Sequence, residues 1–341
     1  LLFSSIILKK YNTLCTYTDS YKGLDVKPCQ RLNYLVVGII KKFEGIYVST
    51  LTPFTEKLEV DYETIKAQVD FVIEKGVHGL VVCGVNGEFS SLSLTERKKV
   101  IKTSINAAKN RVPVIAGAYS NSYKEALDLV KYSEENGATA AILTTPFFFR
   151  RPSQEGLYDY FGKILDKVKK FPIFLCNVPI YSLIELSLNL IENLTMEYKN
   201  IVGIEDLSGL TDSILAYSGA FENLSVLVGS DRMVYNGLNA GCDGAVSAIA
   251  NILPEYLLRI YETYKKGDTD QAWIEQESVI GIRSLMKRFP SRSAQKFIFS
   301  KISGRESFVR PPLRNLTAEE KENLTIIIGE HGLKVESEIP I

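Results

Sequence analysis

Several short apolar runs in this chain end on groups that can do chemistry. IVGIED carries Glu205, FPIFLCNV carries Cys176 and LSVLVGSD ends on Asp231. A carboxyl in an apolar setting can shuttle protons, because burial lifts its pKa toward neutrality. Glu205 therefore reads either as an acid or base, or as a buried carboxyl satisfied by neighbours such as Asn86 or Tyr181. A thiol next to it invites a nucleophile-and-base pair. Yet a reactive thiolate needs a cationic or helix-N-terminal neighbour, and a carboxylate raises its pKa instead, so Cys176 reads better as a small apolar filler. Phe147, Phe148 and Phe149 make an aromatic run that either stacks on a ligand or fills space at a rim or subunit contact. Arg150 and Arg151 either meet an anionic substrate or stay solvated, and Asp231 with Arg232 are weaker candidates for a ligand's polar groups. Metal chemistry has little to work with: two histidines (His78, His331) and five scattered cysteines (Cys15, Cys29, Cys83, Cys176, Cys242) show no CxxC or HxxxH spacing. No metal and no cofactor are expected.

These groups sit at the ends of elements that alternate along the chain. From Gly45 onward, nearly continuous apolar runs (GIYVSTLTPF, HGLVVCGV, VPVIAGAY, AAILTTPFFF, FPIFLCNV, IVGIEDL, LSVLVGSD, GAVSAIAN) are separated by helical patterns. Continuous rather than alternating apolar strands are buried on both faces, as in a parallel sheet. Helices are expected over 62–75, with Ile65, Val69, Val72 and Ile73 on one face, and over 95–109 and 124–136. Asp61 and the Ser93-to-Glu96 run are placed to open helices, and Gly76 and Gly137 to close them. Eight βα units over roughly 210 residues match a closed (β/α)8 TIM barrel, whose chemistry lies at the C-terminal ends of its strands. An open doubly wound sheet would carry a glycine-rich turn after strand one, and TLTPFTEK contains no glycine. The expected organisation is an extension over 1–42, a barrel over 43–254 and a C-terminal helical domain over 255–335. His78 falls just before strand two, at the end of the barrel away from the chemistry.

Composition bounds the rest. The 341 residues carry 40 Lys+Arg against 40 Asp+Glu, so the net charge is zero. A nucleic-acid coat or polybasic membrane binder needs a positive excess, so neither is expected. Scattered, odd-numbered cysteines suit a reducing compartment, and a cytoplasmic protein is expected. Residues 1–42 lack the order of a secretory signal and read as a loosely attached extension or as upstream sequence.

The strand-end motifs together carry a resemblance. GVNGEF at 84–89, TTPFFFRRPSQEGLY at 144–158, CNVP at 176–179, GIEDLSG at 203–209, GCDGAVSAIANILPE at 241–255 and RPPLRNLTAEEK at 310–321 are similar to those of the dihydrodipicolinate synthase / N-acetylneuraminate lyase family. That family also contains the keto-deoxy-gluconate aldolases, and the likeness spans about 45–324. It implies a TIM barrel with a C-terminal helical domain, a homotetramer, and lyase chemistry on 2-keto acids. In that chemistry a strand-six lysine forms a Schiff base, a strand-five tyrosine shuttles the proton, and hydroxyl residues of the strand-two loop hold the keto acid's carboxylate.

Matched residue by residue, the resemblance puts Glu205 where the lysine belongs and Cys176 where the tyrosine belongs. Val85 and Asn86 replace the loop hydroxyls, Phe147 and Phe148 replace a tyrosine pair, and Tyr181 replaces the synthases' substrate-gripping arginine. Gly84, Gly87, Glu88, Asn177, Pro179 and Gly203 keep the frame. Imine formation needs a neutral amine at the carbonyl carbon, and a carboxyl cannot supply it. An anion in place of a cation at about 4 Å from a bound carboxylate also exchanges attraction for repulsion, roughly 4 kcal/mol each way at a dielectric near 20, unless Glu205 is protonated. No strand end supplies another lysine; Lys287, Lys296 and Lys301 fall in the C-terminal helical region, expected to lie away from the pocket. The expectation is a divergent or inactive member that binds a small molecule (a keto acid or neutral analogue) or a partner subunit. Its site is drawn from Glu205, Cys176, Val85, Asn86, Phe148, Tyr181, Gly203 and Asp231. The alternative is a lyase or aldolase working with altered site residues.

Overall fold

In the computed structural model, residues 43–330 are described. The expected extension over 1–42, with Cys15 and Cys29, and His331 fall outside them.

Eight strands follow one another: β1 (Gly45–Ser49), β2 (Gly79–Val82), β3 (Val114–Gly117), β4 (Ala140–Thr144), β5 (Ile173–Asn177), β6 (Ile201–Asp206), β7 (Ser225–Val228) and β8 (Gly244–Ser247). They pair in sequence order, and β8 closes on β1. All pairings are parallel, as the continuous apolar runs require. The closed barrel expected from the sequence is the fold. Four helices follow it: Pro254–Lys265, Thr269–Met286, Ser291–Ser303 and Ala318–Glu330.

The local signals translate into structure within a residue or two. Helix Tyr62–Glu74 starts at Asp61, whose Oδ1 accepts from Thr64 N at 3.0 Å. Helix Leu94–Ala108 opens on a complete capping box, with Ser93 and Glu96 each satisfying the other's backbone N–H. Gly76 leaves its helix at φ +92°, where a β-carbon would be strained.

Two apolar layers result. One lies between the strands and the surrounding helices. The other fills the barrel with Tyr47, Val81, Ile115, Ile142, Phe174, Leu227 and Val246. The inner layer is tight enough that a β-carbon on Gly203 would lie 2.2 Å from Phe174 Cε1. His78 sits at the opposite end from the strand termini, where its Nδ1 accepts from Ile46 N at 3.1 Å and its ring packs on Tyr261.

Helix Ser291–Ser303 ties the C-terminal segment to the barrel mouth. Arg292, Gln295, Lys296 and Phe299 fall at i, i+3, i+4 and i+7, so they share one face. The first three of these meet the loop after β2. Arg292 Nη2 donates to Val85 O at 3.0 Å, Gln295 Oε1 accepts from Asn86 Nδ2 at 3.3 Å, and Lys296 Nζ lies 2.5 Å from Glu88 Oε1. Arg310 adds a second tie through its ion pair with Glu96 at 2.5 Å. Among the described residues, no helix is long and apolar enough to cross a membrane.

Candidate functional site

A cavity of about 260 Å³ opens at the C-terminal ends of the strands. Its walls are mostly hydrocarbon, from Val85, Phe89, Phe147, Val178, Pro312 and Leu313, with the Tyr119 ring among them. Polar atoms enter through Glu88, Ser90, Ser91, Thr144, Tyr181 and Arg292.

Tyr119, just past β3, is held firmly. Arg97, buried on the helix after β2, donates from Nη2 to Tyr119 O at 2.8 Å and from Nη1 to Glu125 Oε1 at 3.2 Å. Glu125 accepts from Ser120 Oγ at 3.0 Å, and Tyr160 donates to Ser120 O at 2.5 Å. Phe89 stacks edge-on against the Tyr119 ring, with centroids 5.1 Å apart. The phenol is thus fixed in place before any ligand arrives.

Behind Tyr119 lie Cys176 and Glu205, the two strand-end groups singled out in the sequence. The β5–β6 register sets Cys176 beside Glu205, as the sequence predicts. One step on, Asn177 Nδ2 donates to Asp206 Oδ1 at 2.8 Å and locks the two strand ends together. The Tyr119 hydroxyl hydrogen-bonds the Cys176 sulfur, and the thiol hydrogen-bonds the Glu205 carboxyl. Burial pushes the Glu205 carboxyl up to about 8, against the thiol's hydrogen bond, with Asp206 adding to the rise. Burial first and Glu205 second push the Cys176 thiol well up, so it is no thiolate nucleophile. At neutral pH the chain Tyr119–Cys176–Glu205 is largely uncharged, and it meets the cavity only through Tyr119. Glu205 itself is 4% exposed, and neither it nor Cys176 lines the cavity.

Several expectations need correction. Glu205 is not satisfied by Asn86 or Tyr181: Asn86 Nδ2 donates to Ser49 O at 3.0 Å as well as to Gln295, while Tyr181 is 54% exposed on the cavity rim. Val85 and Tyr181 do line the cavity, and Asn86 is a loop anchor instead. Phe148 points away at 80% exposure, and Phe147 is the ring that lines the wall. Gly203 is a packing position, whose missing side chain makes room for Phe174. Asp231 is spent within the protein, accepting from Ser247 Oγ at 2.6 Å and pairing with Arg283 at 3.4 Å.

Lys296 is closer to the site than its place in the sequence suggests. It is buried, its Nζ donates to Phe308 O at 2.7 Å, and its ion-pair partner Glu88 lines the cavity. Burial pulls its ammonium down to about 8, against the opposing pull of Glu88. Sequence reasoning also passed over Tyr119, Thr144 and Arg292. The rule that barrel chemistry gathers past the strand ends would have found the first two, whereas the i, i+3, i+4 spacing puts Arg292, Gln295 and Lys296 on one helix face without saying what that face meets. Among the described residues, no group of three or more His, Cys, Asp or Glu is placed to hold a metal ion.

Known proteins share this frame. The family model described as "Dihydrodipicolinate synthetase family" matches residues 42–331. The 4-hydroxy-tetrahydrodipicolinate synthase of Methanopyrus kandleri is 33% identical over 294 residues, covering 86% of this chain and 97% of that protein. The crystal structure of YagE from E. coli K12, a prophage protein of the dihydrodipicolinic acid synthase family in complex with pyruvate, superposes with a TM-score of 0.80 at 28% identity, over 85% of this chain and 99% of that one. Dihydrodipicolinate synthase from Aquifex aeolicus gives the same score and identity over the same shares. With the barrel, the strand-end frame and these matches in agreement, the chain belongs to the dihydrodipicolinate synthetase family.

Proposed function

We propose that this chain is a pseudoenzyme of that family: it keeps the barrel, has given up Schiff-base chemistry, and holds a small molecule non-covalently in the mouth cavity. The observation that carries the proposal is a carboxyl, not an amine, at Glu205, enclosed behind Tyr119 and the cavity wall. No lysine lines the cavity among the described residues. A carboxyl cannot form an imine, and at Glu205's raised pKa it is a neutral hydrogen-bonding group under physiological conditions. The concave, largely apolar cavity favours a small-molecule ligand over a partner subunit as its occupant.

A second reading keeps lyase activity and gives the amine's role to Lys296. Its depressed pKa is what an imine-forming lysine needs. Against it stand its enclosure and its commitment to Glu88 and Phe308 O.

Sodium borohydride added to the protein with pyruvate separates the two, read by intact mass and peptide mapping. The proposal expects no covalent adduct. An adduct mapping to Lys296 establishes the second reading. We further propose a cytoplasmic homotetramer; exposed apolar residues near the mouth such as Ile180, Leu183 and Phe148 support a contact between subunits. Light scattering coupled to size exclusion measures the state directly, and a monomer would remove that part of the proposal.

A further inference from the structure

The cavity's polar groups are unevenly matched. Glu88 has its counter-charge in Lys296. Glu205 lies behind the wall and is neutral below about pH 8. Arg292 uses Nη2 on Val85 O, and among the described residues it has no carboxylate at ion-pair distance. A guanidinium carries five N–H donors, so most of its capacity at the wall is unspent. Its position is fixed by the helix face that also carries Gln295 and Lys296. The unmatched charge at this cavity is therefore positive.

Thr144 supplies a second, independent observation. It ends β4, is 4% exposed and lines the cavity, yet its Oγ1 has no hydrogen-bond partner. Ser104, Thr145, Ser213 and Ser307 also carry unpartnered buried hydroxyls, but of these five only Thr144 lines the cavity, where a ligand atom can supply the partner. Most of the remaining wall is hydrocarbon, from Val85, Phe89, Phe147, Val178 and Leu313, with Ser90, Ser91 and the Tyr119 and Tyr181 phenols as its neutral polar groups.

The geometry points to a specific ligand class: a monocarboxylate with a compact apolar body, aromatic or branched aliphatic, its carboxylate on Arg292 and a polar atom on Thr144. This rests on the non-covalent reading above and adds to it the sign of the ligand's charge and the nature of its body. A short keto acid fits poorly, because it leaves the apolar wall unfilled. A cationic analogue meets an unpaired guanidinium.

Calorimetry and thermal shift on the full chain test this at pH 7 with three probes of one shape: phenylacetate, benzyl alcohol and benzylamine. Phenylacetate is expected to bind best, by roughly tenfold or more over benzyl alcohol, with benzylamine silent. Arg292→Gln is expected to remove that tenfold advantage while leaving benzyl alcohol's affinity unchanged, and Arg292→Lys to retain part of it. Mandelate, which adds a hydroxyl to the phenylacetate frame, is the probe for Thr144, and Thr144→Val is expected to weaken it severalfold while leaving phenylacetate unchanged. The ligand-free unfolding temperature of each variant separates lost binding from lost fold. Equal binding of phenylacetate and benzyl alcohol, or an Arg292→Gln protein that still prefers the acid, overturns the charge assignment while the small-molecule reading stands. Silence from all three probes overturns this inference. A borohydride-trapped pyruvate adduct instead overturns the reading on which it rests.

Discussion

Glu205 and Lys296 are both taken out of water, and burial pushes each toward its neutral form from opposite sides. For Glu205 the folded pKa of about 8 lies above the unfolded value of 4.5, so the folded protein holds the extra proton between those limits. Its contribution is fully present below about pH 4.5 and is lost as pH rises through 8. Lys296 has a folded pKa of about 8 below the usual 10.5, so the unfolded chain holds the extra proton in that window. Stability gains from this group as pH rises from about 8 to 10.5. Urea unfolding across pH should therefore show one slope falling toward pH 8 and another rising beyond it. Glu205→Gln is expected to flatten the first slope and to stabilise the protein at pH 8–9 by about 2–5 kcal/mol relative to its effect at pH 5. An unchanged slope would mean that Glu205 is ionised in the fold. Glu88→Gln should cost about 3–5 kcal/mol at pH 7, because it leaves the Lys296 ammonium buried without its partner. That loss should shrink above pH 8, where the amine is neutral.

The helix Ser291–Ser303 and the loop after β2 behave as one unit, because three side chains of one helix face meet Val85, Asn86 and Glu88 of the loop. Gln295→Ala removes the Asn86 contact and is expected to cost about 1 kcal/mol. Its clearer signature is faster amide exchange at 86–88, which a purely local helix effect would not produce. The Arg310–Glu96 pair is a comparable tie, and its electrostatics have a stated sign. The Arg310 guanidinium holds the Glu96 carboxyl down to about 2, so the stabilisation is present above about pH 4.5 and disappears as pH falls through 2. Arg310→Ala should lower stability more at pH 6 than at pH 2.5, by on the order of 1 kcal/mol, while the loss of its bonds to Leu58 O and Ser91 O is felt at both. Both ties join segments more than 200 residues apart. No local pattern in the chain announces which loop a helix face will meet.

At the scale of the whole molecule, the helices after β8 complete the mouth cavity as well as covering the barrel. Arg292, Pro312 and Leu313 line a space whose other walls come from β2 to β5. Barrel and helices should therefore unfold together. The chain has one tryptophan, Trp273, on the helix Thr269–Met286, packed edge-on against Tyr235 of the barrel's Val234–Asn239 helix at 5.3 Å. Its fluorescence reports that docking, and far-UV circular dichroism reports all the helices. Coincident midpoints are expected, and separated ones would show that the C-terminal segment is an independent domain.

The barrel was legible because it rests on periodic, local signals: both-sides-buried apolar runs, the Asp61 and Ser93 caps, and glycines such as Gly76 where a left-handed turn must follow. The cross-strand pairing of Cys176 with Glu205 was legible too, since parallel register puts equivalent strand ends side by side. What the sequence alone determined is which atoms are available at those ends, an oxygen acid on β6 and a thiol on β5. Tertiary structure decided which of them face a ligand. It turned Phe148 to solvent and Asp231 to Arg283, closed Tyr119 over Glu205, and brought Arg292 and Lys296 from a late helix to the mouth. Such outcomes depend on long-range packing, where a few ångströms of helix docking select the side chain that reaches the cavity, and one-dimensional spacing holds no record of that distance.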